Sequence, residues 1–423
     1  FPQYLRSAGY YCTNNSKQDY NRPKPDGVWD ESSREATYLN RAEGQPFFAV
    51  FNIGISHESS IHKTSGELQH DAAEVPLPPY HPDTPEIRHD WAQYYDKITA
   101  MDARVGELLA DLDEAGLADD TIVFYYADHG GALPRSKRFL YDTGIHVPFI
   151  VRLPEAFQHL SPDHSGTETS RLVSFVDLAP TILSLAGVRV PEHMQGAAFL
   201  GEQAGDAPEY VFSFRGRMDE RYDLSHSVHD GRYHYIRNYH PHRIYGQHLR
   251  YLWRAPSTRS WELEYTEGRC NEAQSRFWER KPSEELYDTH ADPSEVTNLA
   301  ALPEHRERLD TMRRAEEEWA TSTRTTSYLP EGEMVDRSQG MTAHAVVRES
   351  SYPFDRIAAM ARLASERDVR NLPAFDKATS DPDSAVRYWA AMGWLILGKE
   401  AATSQEAIEA LLDDSSGDVR VVA

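Results

Sequence analysis

At 423 residues, 40% of them hydrophobic, the chain is long enough to bury more than one core, which excludes a disordered tail. Its 67 Asp and Glu against 44 Lys and Arg leave a net charge of -23, which excludes general binding to nucleic acid or to anionic membranes. No apolar run approaches the ~20 residues that span a bilayer, and the two cysteines, Cys12 and Cys270, are too few for a disulfide framework.

The opening residues carry neither an initiator Met nor a charged segment leading into an apolar one, so the chain is expected to begin in mid-domain. Over residues 1–154, short β-prone apolar runs alternate with amphipathic helical patterns, which predicts an α/β sheet covered on both faces. One run, 46–55, ends at Ser56-His57-Glu58, and a second, 121–127, ends at Asp128-His129-Gly130. Apolar residues at helical spacing between them predict a crossover helix over 91–115. A strand over 147–153 and a helix over 176–187, closed by Gly187, follow.

Strand formers and aromatics dominate 210–239, and a charged helix is predicted over 304–319. The tail from residue 352 is helical and Ala-rich, and Asp381-Pro382-Asp383-Ser384-Ala385-Val386-Arg387 is echoed by Asp414-Ser415-Ser416-Gly417-Asp418-Val419-Arg420. That spacing resembles HEAT repeats, stacked helical hairpins that bind or brace other proteins. The predicted organisation is an α/β core over 1–205, an α+β subdomain over 206–325, a polar linker over 326–350 and an incomplete helical-repeat region over 351–423.

Open α/β sheets build their sites in the crevice past the carboxyl ends of the strands, where His57 and the Asp128-His129 pair both fall. A lone histidine or a single Asp-His-Gly turn is more often structural; the joint placement carries the signal. Asp128 offers a hard anionic oxygen and His129 an imidazole nitrogen, a pair able to join other donors around a divalent cation. Arg135-Ser136-Lys137-Arg138 then brings positive charge within ten residues, as a solvated basic loop or as a clamp for an anion.

Four segments in order resemble the sulfatase family. Ala127-Asp128-His129-Gly130-Gly131, then Ser136-Lys137-Arg138-Phe139-Leu140-Tyr141-Asp142-Thr143-Gly144-Ile145-His146-Val147-Pro148, is similar to its D-[NH]-G and G-K-x-x-x-[YF]-[ED]-x-G-x-x-x-P elements. Gly9-Tyr10 followed by Lys17 resembles its G-Y-x-T-x-x-x-G-K-W-H segment, and Pro46-Phe47-Phe48 leading to His57 resembles its strand ending in a catalytic histidine. Glu284-Glu285-Leu286-Tyr287-Asp288, Asp292-Pro293-Ser294-Glu295 and Asn298-Leu299-Ala300 resemble a late element of bacterial sulfatases and heparan N-sulfatases.

The resemblance implies an alkaline-phosphatase-like α/β sandwich with a smaller α+β subdomain, acting on a sulfated carbohydrate in the periplasm or outside the cell. It implies Asp128 and His129 as ligands of Ca2+, with Mg2+ as the alternative, Lys17 and Lys137 on the sulfate oxygens or the nucleophile, and His57 as the acid for the leaving group. The family's nucleophile is a formylglycine made from Cys or Ser in C/S-x-P/A-x-R. Neither Cys12 nor Cys270 nor any serine stands in that pattern, and the family's paired N-terminal aspartates are missing. Both are expected upstream of Phe1, so this stretch alone is expected not to turn over sulfate esters. Asp19 stands where the family usually has a histidine.

On the substrate side, Arg217 and Arg221 follow a strand-like run, and His240 and Arg243 lie in a stretch mixing aromatic, imidazole and cationic groups, as sugar sites do. For each, packing or surface pairing is the competing role. Two other functions share these features: a phosphoric or phosphonate ester hydrolase of the same superfamily, and a non-catalytic binding protein whose repeats hold a protein partner.

Overall fold

The computed structural model describes residues 1–20 and 23–423. A short helix, α1 (Pro2–Ser7), leads into β1 (Tyr11–Asn15), which lies parallel between β2 (Glu31–Ser32) and β3 (Phe47–Phe51) with Asn15 opposite Phe51. Because β1 and β3 run parallel in this register, the chain leaves both at one end, which carries Lys17 and the segment to His57 to the same edge.

The crossover helix α2 (Pro85–Glu114) begins at Pro85 rather than at Trp91. Thr84 caps it by accepting the Ile87 N–H at 3.3 Å, and Pro85 sits where a missing N–H costs no helical bond. Its continuation differs from a single parallel sheet. β4 (Val123–Tyr126) pairs antiparallel with β5 (Phe149–Arg152), beyond the short helix α3 (Asp142–Ile145), in a separate two-stranded ribbon. Tyr126 is 41% and Ile150 62% exposed, so the described residues do not cover this ribbon on both faces. Helix α4 (Leu178–Leu185) buries Leu183 against Leu5 and Cys12.

The subdomain is a four-stranded antiparallel sheet in the order β6 (Val211–Met218), β7 (Arg221–His229), β8 (Tyr233–Asn238), β9 (Glu284–Asp288). Between β8 and β9 the chain inserts α5 (Pro256–Thr266) and α6 (Glu272–Ser275). Asp90 of α2 accepts the Ser257 N–H at 2.7 Å, a carboxylate meeting the amide end of α5. Tyr80, Ile87, Phe139, Trp261, Phe277 and Trp278 form one core there, which fixes the α/β part to the subdomain. On the other face of the sheet, Val228, Tyr235 and Leu286 pack under α7 (Arg306–Thr323) through Leu309 and Met312.

The stretch predicted as a linker is packed. It contains α8 (Glu331–Ser338) and α9 (Ala343–Val346), with Leu329, Val346 and Val347 buried. The polar sequence misleads because Glu333 faces inward, where it accepts from Ser384 and Ser416, both at 2.6 Å. Helices α10 (Phe354–Ser365), α11 (Leu372–Ala378), α12 (Ser384–Leu397), α13 (Gln405–Ala410) and α14 (Gly417–Val422) follow. Their core is continuous with Leu224 and Tyr239 of the subdomain.

The two echoed turns are built alike. Asp381 accepts the Asp383 N–H at 2.8 Å, and Asp414 accepts the Ser416 N–H at 2.7 Å. Arg387 donates back to the Asp381 carbonyl as Arg420 does to that of Asp414. Each aspartate also takes an arginine from the helix before last, Arg356 of α10 on Asp381 at 2.8 Å and Arg387 of α12 on Asp414 at 2.6 Å, so the sequence echo is a structural one.

Candidate functional site

Lys17, His57, Asp128, His129 and Lys137, separated by up to 120 residues of chain, stand within electrostatic reach of one another. Asn14, 1% exposed at the end of β1, holds the first of them by donating to the Lys17 carbonyl at 2.9 Å and accepting from Asn52 at 3.0 Å. Lys17 Nζ then lies 3.3 Å from Asp19 and 3.5 Å from Asp128. Burial works against its charge, but the two carboxylates outweigh it and hold the lysine above its ordinary range.

β4 delivers Asp128 and His129. Burial pushes the Asp128 carboxyl up, yet His129, Lys17 and Lys137 more than offset this and keep it below the usual carboxylate range. His129 Nδ1 faces the Gly130 carbonyl at 2.8 Å; a carbonyl only accepts, so Nδ1 carries a proton, and in the neutral ring Nε2 is the acceptor. That nitrogen lies 3.7 Å from Asp128 Oδ1. With a neutral imidazole, two acceptors face each other, the arrangement a cation resolves. Calcium, however, takes about 6–8 oxygens, and among the described residues no three His, Cys, Asp or Glu side chains gather as a metal-binding group. Asp128 and His129 by themselves offer two donors, fewer than such an ion takes.

The loop carrying these residues owes its shape to two glycines. Gly130 and Gly131 donate to the Gly144 and Thr143 carbonyls, both at 3.0 Å, and Lys137 N–H returns to the Gly131 carbonyl at 3.0 Å. A Cβ on Gly130 would collide with the Thr143 carbonyl, and one on Gly144 with the Ser136 and Phe139 carbonyls. Gly144→Ala is therefore expected to destabilise the protein by about 1–3 kcal/mol, measurable as a lowered thermal midpoint; an unchanged midpoint would show that the loop tolerates the displacement.

The basic loop divides. Arg135 is 5% exposed, stacked on Tyr80 and Tyr141 at 4.2 and 3.6 Å, and donates to the Ser294 and Glu295 carbonyls, so it ties the late Asp-Pro-Ser-Glu element to the loop. Arg138 binds Glu58 at 2.8 Å and also pairs with Asp219. Lys137 alone turns to the site, with Nζ 3.7 Å from Glu58 Oε2. Glu58, 0% exposed between two cations, escaped the sequence reading although it adjoins His57. His57 Nδ1 accepts the Ser59 N–H at 3.2 Å, which leaves the proton of a neutral ring on Nε2. Burial and then the charge of Lys137 lower its pKa.

Three of the four substrate-side candidates lie elsewhere. His240 is 0% exposed, stacked on Trp389 at 5.6 Å and edge-on to Tyr222, because the chain after β8 turns under α12; burial keeps its pKa far down. Arg243 donates to the Tyr222 carbonyl, and Arg217 to the Leu329 carbonyl at 2.6 Å, both on the side of the sheet that meets the C-terminal helices. Both guanidiniums are engaged by main-chain carbonyls, and His240 is out of solvent's reach. Arg221 donates to the His248 carbonyl at 3.0 Å, beside residues 250–254.

A model described as Sulfatase matches residues 3–188, and one described as N-sulphoglucosamine sulphohydrolase, C-terminal, matches residues 135–247. An ulvan-active sulfatase of Formosa agariphila is 37% identical over 372 residues, 79% of this chain and 61% of the relative. The N-sulphoglucosamine sulphohydrolase of Homo sapiens is 26% identical over 274 residues, 60% of this chain and 52% of the relative. This chain thus spans between half and two thirds of these curated relatives' length. The solved structure of a 2-O GAG sulfatase is similar in fold, with a TM-score of 0.50 at 19% identity over 75% of this chain and 73% of that one.

Proposed function

We propose that the chain belongs to the sulfatase family and that the full-length protein hydrolyses sulfuric esters of a sulfated polysaccharide. The observation that carries this is the convergence of two lysines, two imidazoles and one carboxylate on the strand ends. In a chain of net charge -23, two lysines brought to one crevice beside two imidazoles suit a small tetrahedral anion, although Asp19, Asp128 and Glu58 stand against the two ammoniums. Lys17 and Lys137 would neutralise the sulfate oxygens, and His57 would protonate the sugar oxygen as the sulfur–oxygen bond breaks.

Asp128 and His129 would hold a divalent cation, calcium by the family resemblance, together with donors outside the described set; such an ion supplies positive charge to the sulfate oxygens. The attacking group, a formylglycine in this reading, is likewise outside this chain's residues. Cys12 is 0% exposed and burial pushes its thiol up to about 12, so it is no substitute. The relative named as active on ulvan supports ulvan or a similar sulfated polysaccharide as substrate class. We also read the C-terminal helices as HEAT-like, with a protein partner, and the location as periplasmic or extracellular; among the described residues no helix is long and apolar enough to cross a membrane.

The test is sulfate release by the full-length protein from sulfated polysaccharides and a small aryl sulfate, beside the matching phosphate and phosphonate esters. Sulfate release that falls on chelation and returns with calcium is the expected result. Release of phosphate alone would move the protein to the sister activity of the same fold.

A further inference from the structure

Next to His57 the surface opens into a cavity of about 660 Å³ lined by Glu220, Arg250, Tyr251 and Arg254. Its floor is fixed by the flanking residues. Leu249, Leu252 and Trp253 are 1%, 2% and 8% exposed, Trp253 Nε1 donates to Glu262 at 2.7 Å, and Arg259 donates to the Trp253 carbonyl at 2.6 Å. With Leu249, Leu252 and Trp253 buried, Arg250 and Arg254 are left facing outward. The Tyr251 ring lies 6.3 Å from the His57 ring and 4.6 Å from that of His62, so the cavity adjoins the proposed proton donor.

The charges there are unbalanced. Glu220, the one carboxylate in the lining, accepts the backbone N–H of Arg250 at 2.6 Å rather than a guanidinium. Among the described residues the guanidiniums of Arg250 and Arg254 form no ion pair with a carboxylate, in a chain where acids outnumber bases 67 to 44. Arg254 instead lies over the Tyr251 ring at 5.6 Å, with Arg138 over it at 6.0 Å. Both ring nitrogens of His62, against Tyr251, are shielded from solvent and lack a protein partner.

We infer that this cavity is a second anion subsite, which binds a carboxylate or a second sulfate on the sugar adjoining the one whose sulfate is cleaved. Arg250 and Arg254 supply planar forks matched to either oxyanion, and Tyr251 stands between them and His57. The inference rests on the reading of His57 and the lysines as the reacting centre. It makes the protein selective for a substrate with two negative groups at a fixed separation, a choice the lysine cluster alone cannot make.

The experiment measures kcat/KM of the full-length protein on sulfated disaccharides that differ only in the neighbouring sugar: carboxylate-bearing, sulfate-bearing, or neutral. Wild type should prefer one charged form over the neutral one by ~10- to 100-fold, the worth of one or two hydrogen bonds to a charged group, and the preferred form identifies the oxyanion. The variant joining Arg250→Ala and Arg254→Ala should bring the charged and neutral substrates near parity. Arg250→Lys with Arg254→Lys, which keeps stem and charge but not the fork, should lose part of the preference and serves as the folded comparison. Turnover by wild type without charge preference, or a preference that survives the alanine pair, overturns the subsite alone. No sulfate release from any of the three overturns the sulfatase reading with it.

Discussion

Lys137→Ala in the full-length protein should lower kcat for sulfate release by ~10²- to 10³-fold, the loss seen when one preorganised donor to a charged transition state is removed. Lys137 Nζ stands 3.7 Å from Glu58, which is fully buried, so the ammonium is held at the wall of the site rather than swinging in solvent. A charge fixed before reaction costs no reorganisation as sulfur is transferred, and its removal should appear in kcat more than in KM. A second measurement needs no turnover. Burial and Lys137 are the two largest influences lowering the His57 pKa. With Lys137 replaced, burial remains but the cation is gone, so NMR titration should place the imidazole nearer its ordinary value. A variant with wild-type kcat and an unmoved His57 titration would remove Lys137 from the site.

Much of this site was legible because its parts sit in short, strongly patterned segments. The apolar runs that become β3 and β4 announce themselves by composition, and the residues just past them, His57 and Asp128-His129, follow from the geometry of strand ends. What failed were the inferences that needed to know which face a side chain takes. His240 and Arg243 have the chemistry of a sugar site, but the turn after β8 buries His240 against Tyr222 and Trp389, the latter from α12 some 150 residues later, and ties Arg243 to the Tyr222 carbonyl. Glu333 and its polar neighbours read as linker because hydropathy counts a buried carboxylate with two hydroxyl partners as a solvated one. Arg250 and Arg254 carried no motif; only the burial of Leu249, Leu252 and Trp253 beside them shows which way they face.

Lys281→Met tests whether a buried ion pair supports the site from behind. Lys281, 1% exposed, places Nζ 2.5 and 2.6 Å from the two oxygens of Asp223 on β7, also 1% exposed. Arg215 of β6 lies 3.8 Å from the same carboxylate and donates to the Arg138 carbonyl at 2.9 Å, so the pair is joined through two strands to the loop bearing Lys137. Burial pushes the Asp223 carboxyl up, but Lys281 and Arg215 prevail and hold it at about 2. Removing the ammonium leaves a buried carboxylate with only the more distant guanidinium, a loss of ~3–5 kcal/mol. The pH dependence separates this from a simple packing defect. In wild type the depressed carboxyl contributes stability that is complete well above the unfolded carboxyl range of about 3.9 and is lost as pH falls through it toward 2. In Lys281→Met the Asp223 carboxyl rises and can fold protonated, so the deficit should be largest at neutral pH and shrink as pH approaches 4–5, read by denaturant midpoints. Pairing Lys281→Met with Asp223→Leu, which removes both charges at similar volume, should recover most of the loss. A deficit that stays constant with pH and persists in the double variant would mean that Lys281 matters for its methylenes and not for its charge.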